Sequence, residues 1–201
     1  KPLFNRALSG RYPPGSIFKL LNGLIALEEG VLYKNKYYEC NGGYEYEKGK
    51  ILKCHPHKSR TNLEQAITIS CNTYFCKTFS DLFKKFDSTE QSYKIWRTHL
   101  NSFGVGEWMN NDFVSGEKGM LPEYKYYSEY YGRKSWNSST IISMAIGQGE
   151  LLLTPIQMAN ITAIIANRGY YYTPHIIKSI EGKKNIDSTY IRKKFSSVRP
   201  E

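Results

Sequence analysis

A chain of 201 residues with 40% hydrophobic and 23% charged side chains is long enough to bury one substantial core, and its composition excludes a disordered polymer. The formal net charge of +10 raises nucleic-acid binding, but the basic residues are scattered apart from Arg192-Lys193-Lys194. No helix-turn-helix, RNP motif or paired zinc finger accompanies them, so no nucleic-acid partner is expected. No run of ~18 apolar residues can span a membrane, and the opening Lys1-Pro2-Leu3-Phe4-Asn5 reads as mid-sequence, which puts any anchor outside this segment.

Arg11-Tyr12-Pro13-Pro14-Gly15 is a rigid turn. A helix follows from near Ser16, with Ile17, Leu20, Leu21, Leu24, Ile25 and Leu27 as its apolar face and Gly30 as its stop. Residues 31–60, rich in Tyr, Gly, Lys and Cys, form an irregular, hairpin-like excursion. Thr61-Asn62-Leu63-Glu64 fits a capping box, and Ser88-Thr89-Glu90-Gln91 fits a second, opening a helix that closes near Gly104. Glu107 to Asn137 is rich in Gly, Pro and aromatics and reads as a long loop, with Tyr124 to Tyr131 packed within it. Thr154 caps the last clear helix, Pro155 occupies its first turn and Gly169 ends it. Tyr170 to Ile180 alternates as a strand, and the chain has no internal repeat.

Ser16-Ile17-Phe18-Lys19 is an S-x-x-K pattern. On a helix, residues three apart share a face with Cβ atoms ~5–6 Å apart, so a lysine can reach a serine hydroxyl and take its proton. The transfer requires burial to lower the amine pKa, and free N–H groups at the helix start suit a developing oxyanion. A capping serine with a surface lysine is the commoner meaning of the bare pattern. The Pro13-Pro14-Gly15 lead-in and the apolar helix behind it favour the nucleophile and base. Ser70-Cys71-Asn72 adds an S-x-N, in which a second hydroxyl can relay a proton and an amide can hold a substrate carbonyl and the lysine. Alone, it would be an ordinary polar break between helices.

Together these residues resemble the penicillin-binding protein and serine β-lactamase superfamily. Asn5-Arg6-Ala7, Gly10-Arg11-Tyr12-Pro13-Pro14-Gly15-Ser16, Ala145-Ile146-Gly147-Gln148-Gly149-Glu150 and Thr154-Pro155-Ile156-Gln157-Met158-Ala159 are similar to segments of its class B members. Gly116-Glu117-Lys118-Gly119 and Trp136-Asn137 fit the elongation type of that class. The resemblance runs to about residue 175. It implies an α+β fold: the mainly helical lobe of a transpeptidase domain, truncated at both ends, with most central-sheet strands missing. It implies acyl transfer on D-Ala-D-Ala stem peptides, with Ser16, Lys19, Ser70 and Asn72 as catalytic residues. The implied partners are peptidoglycan stem peptides, β-lactams and the cell-wall elongation machinery. The implied location is the extracytoplasmic, periplasmic face of the cytoplasmic membrane. The third family motif, a Lys-Ser/Thr-Gly triplet, is absent and is expected after Glu201, so this segment alone is expected to be inactive. A carboxypeptidase or β-lactamase-like hydrolase remains an alternative, as does a non-catalytic, zinc-stabilised interaction module.

The 4 cysteines are Cys40, Cys54, Cys71 and Cys76. Cys54-x-x-His57, flanked by Cys40 and Cys71, offers three thiolates and one imidazole to a closed structural zinc site, in a stretch too poor in apolar residues to fold unaided. Relatives of the elongation type can carry zinc here, which maps the ligands onto Cys40, Cys54, His57 and Cys71, with His55 as the alternative to His57. Disulfides are the competing use of these cysteines, with 3 pairings of the four. Cys76 reads as a buried apolar residue, His99 as a helix-surface residue and His175 as a strand-edge residue.

Overall fold

The computed structural model describes residues 3–113, 115–183 and 185–199. The helices are α1 (Arg6–Ser9), α2 (Phe18–Glu28), α3 (Leu63–Thr68), α4 (Asn72–Lys84), α5 (Thr89–Ser102), α6 (Tyr124–Tyr131), α7 (Pro155–Ala166) and α8 (Ser188–Ile191). The strands are short: β1 (Tyr38–Glu39), β2 (Gly43–Glu47), β3 (Lys50–Lys53), β4 (Arg60–Thr61), β5 (Tyr170–Tyr171) and β6 (Lys194–Phe195). They pair antiparallel as β1·β4, β2·β3 and β5·β6, and the described residues contain no larger sheet. Two compact units emerge: residues 13–97 with 122–151, and the described residues of 1–12, 98–121 and 152–201. No helix among the described residues is long and apolar enough to cross a membrane.

The first unit is built on aromatic side chains. Phe18, Phe75, Phe79, Tyr93, Trp96 and Tyr127 are all fully buried. Trp96 meets Phe79 edge to face at 5.3 Å, and such pairs contribute about 0.5–1.5 kcal/mol beyond the area they bury. The face of α2 turned to this core differs from the apolar stripe expected. Phe18, Lys19, Leu21, Asn22, Gly23, Ile25 and Ala26 are buried, whereas Ile17 and Leu27 remain 43% and 37% exposed. Two polar side chains thus enter the interior because they have partners there.

The excursion at 31–60 contains the β2·β3 hairpin, with a register shift between Glu45 and Glu47, and strand β1. Asp81 of α4 anchors it, accepting from Tyr38 Oη at 2.5 Å and from Lys36 Nζ at 3.0 Å. Burial, then the Asp81 carboxylate, pushes the Tyr38 hydroxyl above the usual tyrosine range.

Several expected boundaries move. The cap of α3 is Asn62, in a capping box with Gln65, rather than Thr61 with Glu64. Thr61 is committed to β4 opposite Tyr38 and is buried, so its hydroxyl cannot cap. The long loop from 107 to 137 contains a helix, α6. Its Tyr127 and Ser128 pack on Trp136, whose Nε1 donates to Ser128 Oγ at 3.2 Å, and Gly132 ends it at φ +89°.

In the second unit, Thr154 and Gln157 form the capping box of α7, with Pro155 in its first turn, as the sequence suggests. Gln157 Nε2 also lies within hydrogen-bond distance of the Gly104, Glu107 and Lys118 carbonyls, at 3.0, 3.3 and 3.0 Å, which holds an otherwise irregular stretch together. The strand expected from Tyr170 to Ile180 is only two residues long. Asp112 takes the Ile176 and Ile177 N–H groups, and Pro174 has none to give. His99 is 9% exposed rather than on the surface, with Nδ1 2.6 Å from Ser197 Oγ. His175 stacks on Tyr190 at 5.1 Å.

Candidate functional site

Ser16 sits in the middle of a 3-10 turn, Gly15–Ile17, that runs directly into α2. Gly15 adopts φ +59°, a conformation costly for any residue with a Cβ, and its N–H donates to the Gly147 carbonyl at 2.8 Å. Gly147 is itself at φ +72°, and a Cβ there would fall on Gly15 O and 2.7 Å from Phe18 Cβ. The Gly147-Gln148-Gly149 motif therefore has a physical reason: only a bare backbone can support the serine turn this closely.

Lys19 is 3% exposed, and its amine points at the S-x-N segment. Nζ donates to Ser70 Oγ at 2.8 Å, to Ser70 O at 2.8 Å and to Asn72 Oδ1 at 2.6 Å. Ser70 Oγ in turn donates to Ser16 Oγ at 3.0 Å. The four residues singled out from sequence thus form one hydrogen-bonded line, in which the link from lysine to Ser16 passes through the Ser70 hydroxyl. Burial holds the Lys19 amine below the usual lysine pKa, partly opposed by the thiols of Cys54, Cys71 and Cys76. Asn72 is fixed from behind, because Nδ2 donates to Lys53 O at 2.8 Å. Ser70 has φ +53°, left-handed backbone that costs a non-glycine residue about 1–3 kcal/mol and concentrates at working sites.

Cys40, Cys54, His57 and Cys71 bring one ligand atom each to within 4.8 Å of one another, so the cluster can hold a metal ion. Cys54 Sγ lies 3.4 Å from His57 Nε2 and 3.9 Å from Cys71 Sγ. His57 Nδ1 faces the Lys58 carbonyl at 2.7 Å, which fixes the ring and leaves Nε2 to the cluster. His55 stays exposed beside it, with ring centroids 5.4 Å apart. All 4 cysteines are free thiols.

The cluster is seated on the start of α4. The Asn72 N–H donates to Cys54 Sγ at 3.2 Å, the Tyr74 N–H to Cys71 Sγ at 3.3 Å, and Cys40 Sγ contacts Thr73 Oγ1 at 3.1 Å. Burial raises the Cys54 thiol, but N–H groups of Thr73 and Asn72 together with His57 outweigh it and bring the pKa down to about 6. Cys71, more deeply buried and beside Cys54, is pushed up to about 12. One thiolate thus opposes the next, a conflict that a cation among them removes. Cys76 lies outside the cluster, and burial pushes its thiol up to about 12 as well.

The family model for the penicillin binding protein transpeptidase domain matches residues 1–198. The chain belongs to that family. Among curated relatives of this transpeptidase domain, peptidoglycan D,D-transpeptidase MrdA of Acinetobacter baumannii is 32% identical over 189 residues, covering 92% of this chain. MrdA of Escherichia coli K12 is 28% identical over 182 residues, covering 89%. The chain spans only 26% and 27% of those two proteins. Pseudomonas aeruginosa penicillin-binding protein 2, solved in complex with WCK 5153, superposes with a TM-score of 0.81 at 27% identity, over 99% of this chain and 43% of that one. Helicobacter pylori penicillin-binding protein 2, solved in complex with MreC, gives 0.72 at 28% identity, over 92% and 32%. The transpeptidase fold and its penicillin-binding protein 2 branch are those that the Ser16, Gly147 and Trp136 segments suggested.

The sequence reading missed the Lys53 carbonyl behind Asn72, and the buried pair Asn22 and Trp96, joined at 2.8 Å in the core behind α2. Asn22 lies three residues after Lys19 on an otherwise apolar helix, which was the available signal. The Lys53 carbonyl left none, because backbone groups carry no sequence identity.

Proposed function

We propose that the chain carries the nucleophile and base of a peptidoglycan D,D-transpeptidase, and that all 201 residues are one stretch of a single transpeptidase domain. The observation that supports this most is the line Ser16–Ser70–Lys19–Asn72, with its amine withdrawn from water. Ser16 is the nucleophile and Lys19 the general base. When Lys19 is neutral, the two hydroxyl hydrogens turn the other way, so Ser16 passes its proton to Ser70 as Ser70 passes its own to Lys19. Ser16 Oγ attacks the carbonyl of the penultimate D-Ala of a stem peptide, giving a tetrahedral oxyanion that N–H groups at the helix start are suited to face. The C–N bond breaks, and Lys19 returns the proton through Ser70 to the departing D-Ala amine. A neighbouring stem peptide's amine then attacks the ester, yields its proton to the same groups, frees Ser16 and leaves a cross-link. A β-lactam in place of the dipeptide leaves Ser16 acylated.

The family's Lys-Ser/Thr-Gly triplet, which helps bind the substrate carboxylate, does not occur in these residues, so the reaction proposed needs that group in addition to them. The MreC complex of the H. pylori relative supports an MreC-like partner within a cell-wall elongation assembly. Incubating the intact protein with stem pentapeptides tests the reading. Released D-Ala together with a cross-linked dimer is expected. Release without dimer makes it a hydrolase, and neither product from a folded protein makes it a non-catalytic module.

Zinc is the ion we assign to Cys40, Cys54, His57 and Cys71. Tetrahedral zinc with bonds of about 2.0–2.3 Å sets its ligand atoms about 3.5–3.8 Å apart; the Cys54–His57 and Cys54–Cys71 pairs, at 3.4 and 3.9 Å, are near this, and a small contraction of the set, all within 4.8 Å, would complete it. Its chemistry is cross-linking only, since four protein ligands leave no open position. One zinc per chain by elemental analysis is expected, and a metal-free folded protein contradicts the assignment.

A further inference from the structure

Asn22 is a primary amide sealed in an aromatic and aliphatic core at 1% exposure, a placement that is costly unless every polar atom is paired. Each is. Nδ2 donates to Met144 O and to Ala145 O, both at 3.1 Å, and Oδ1 accepts from Trp96 Nε1 at 2.8 Å. Trp96 is fully buried on α5, so the amide is gripped from one side while it grips the other. The two carbonyls lie near the end of the 3-10 helix Ile142–Ile146, where Met144 O also accepts the Gly147 N–H at 3.2 Å, so Asn22 is its second donor. The next residue is Gly147, whose carbonyl takes the Gly15 N–H at 2.8 Å, and Gly15 immediately precedes Ser16.

A continuous path therefore runs from Trp96 through Asn22 to the 144–147 backbone and on to the serine turn. Its hydrogen bonds are distinct from those of the Lys19–Ser70 line. We propose that Asn22, clamped by Trp96, is a positioning residue for Ser16: it fixes where Gly147 stands against α2, and Gly147 fixes Gly15. An apolar residue of similar size would fill the space but take the side-chain donor from both carbonyls, which frees the 144–147 backbone to shift Gly147 from the serine turn. Displacements of about 1 Å at a nucleophile can cost on the order of 100-fold in rate.

The test combines amide hydrogen exchange by NMR with penicillin acylation kinetics, in the intact protein and in Asn22→Leu and Trp96→Phe. Trp96→Phe keeps a large ring in the core and removes one donor, so it remains informative if Asn22→Leu folds poorly. In Asn22→Leu, exchange at the Gly15 amide should quicken about 10-fold or more relative to α4 amides. The acylation rate constant should fall by about 10-fold or more, with penicillin affinity and the pH midpoint of acylation unchanged, because the Lys19 line is untouched. Trp96→Phe should move the same quantities in the same direction by less. Unchanged Gly15 exchange in both variants overturns the proposal, as does a shifted pH midpoint. The kinetic arm rests on the acyl-transfer reading and the exchange arm does not, so a wild-type protein that fails to acylate sinks that reading and leaves the positioning role to be decided by exchange.

Discussion

Residues 13–19 and residues 31–60 both converge on the start of α4, yet they are held by opposite means. The serine turn is pinned from within by a buried helix, by the Gly15 N–H on Gly147 O and by the Asn22 bridge. The excursion has little core of its own and is held by Asp81, by short strand pairs and by the four ligand atoms at Cys40, Cys54, His57 and Cys71. An ion pair, short strand pairs and the metal we assign to the cluster do for the second what packing does for the first. The two halves of the site differ accordingly: Lys19 is set in the packed core beside the serine turn, whereas Asn72 rests on the cysteine cluster through its N–H on Cys54 Sγ at 3.2 Å.

The largest expected effect isolates the base. Lys19→Arg keeps a charge and its donors but cannot become neutral near neutral pH, so penicillin acylation should fall by about 10²–10⁴-fold while bound metal is retained. In the unmodified protein, acylation should rise with pH as Lys19 loses its proton. Burial lowers that pKa, so the midpoint of the rate profile should lie below the ordinary lysine range. A midpoint at or above that range would separate Lys19 from the base.

Removing metal should break the comparison on the other side. With free zinc at about 100 times Kd, binding contributes about 2.7 kcal/mol, and chelation or Cys71→Ser should forfeit it. Limited proteolysis should then cut within residues 31–60 well before residues 13–19. Equal protection of both regions without metal would erase the distinction. Gly147→Ala acts on the serine turn instead. Its Cβ meets Gly15 and Phe18, and a loss of about 1–3 kcal/mol in urea unfolding is expected with metal content unchanged. Asn62→Ala removes the cap at the far edge of the excursion and should cost about 1 kcal/mol, with no change in acylation.

Much of this site was legible because its signals are local. Ser16 and Lys19 are three residues apart and share a helix face, while Ser70-Cys71-Asn72 and Cys54-x-x-His57 are short patterns readable without tertiary context. Caps at Thr154 and Ser88 were legible for the same reason, with Gln91 N–H donating to Ser88 Oγ at 3.2 Å. The misses come from tertiary context. Thr61 lost its capping role to a strand partner, and Ile176 and Ile177 gave their N–H groups to a distant aspartate. In α6 the aromatic spacing of Tyr124, Tyr127 and Tyr131 is helical, but its tyrosine-rich composition masked the period. The buried face of α2 departs from its apolar stripe because Lys19 and Asn22 are polar residues whose partners lie far along the chain.

The central claim is that Ser16 is a nucleophile activated through Ser70 by Lys19. Peptide mass spectrometry of the intact, metal-loaded protein after reaction with a penicillin tests it most directly. The account predicts one acyl adduct per chain, located on the peptide bearing Ser16 and lost in Ser16→Ala. A folded, metal-loaded protein with no adduct, or with its adduct on another residue, would contradict it.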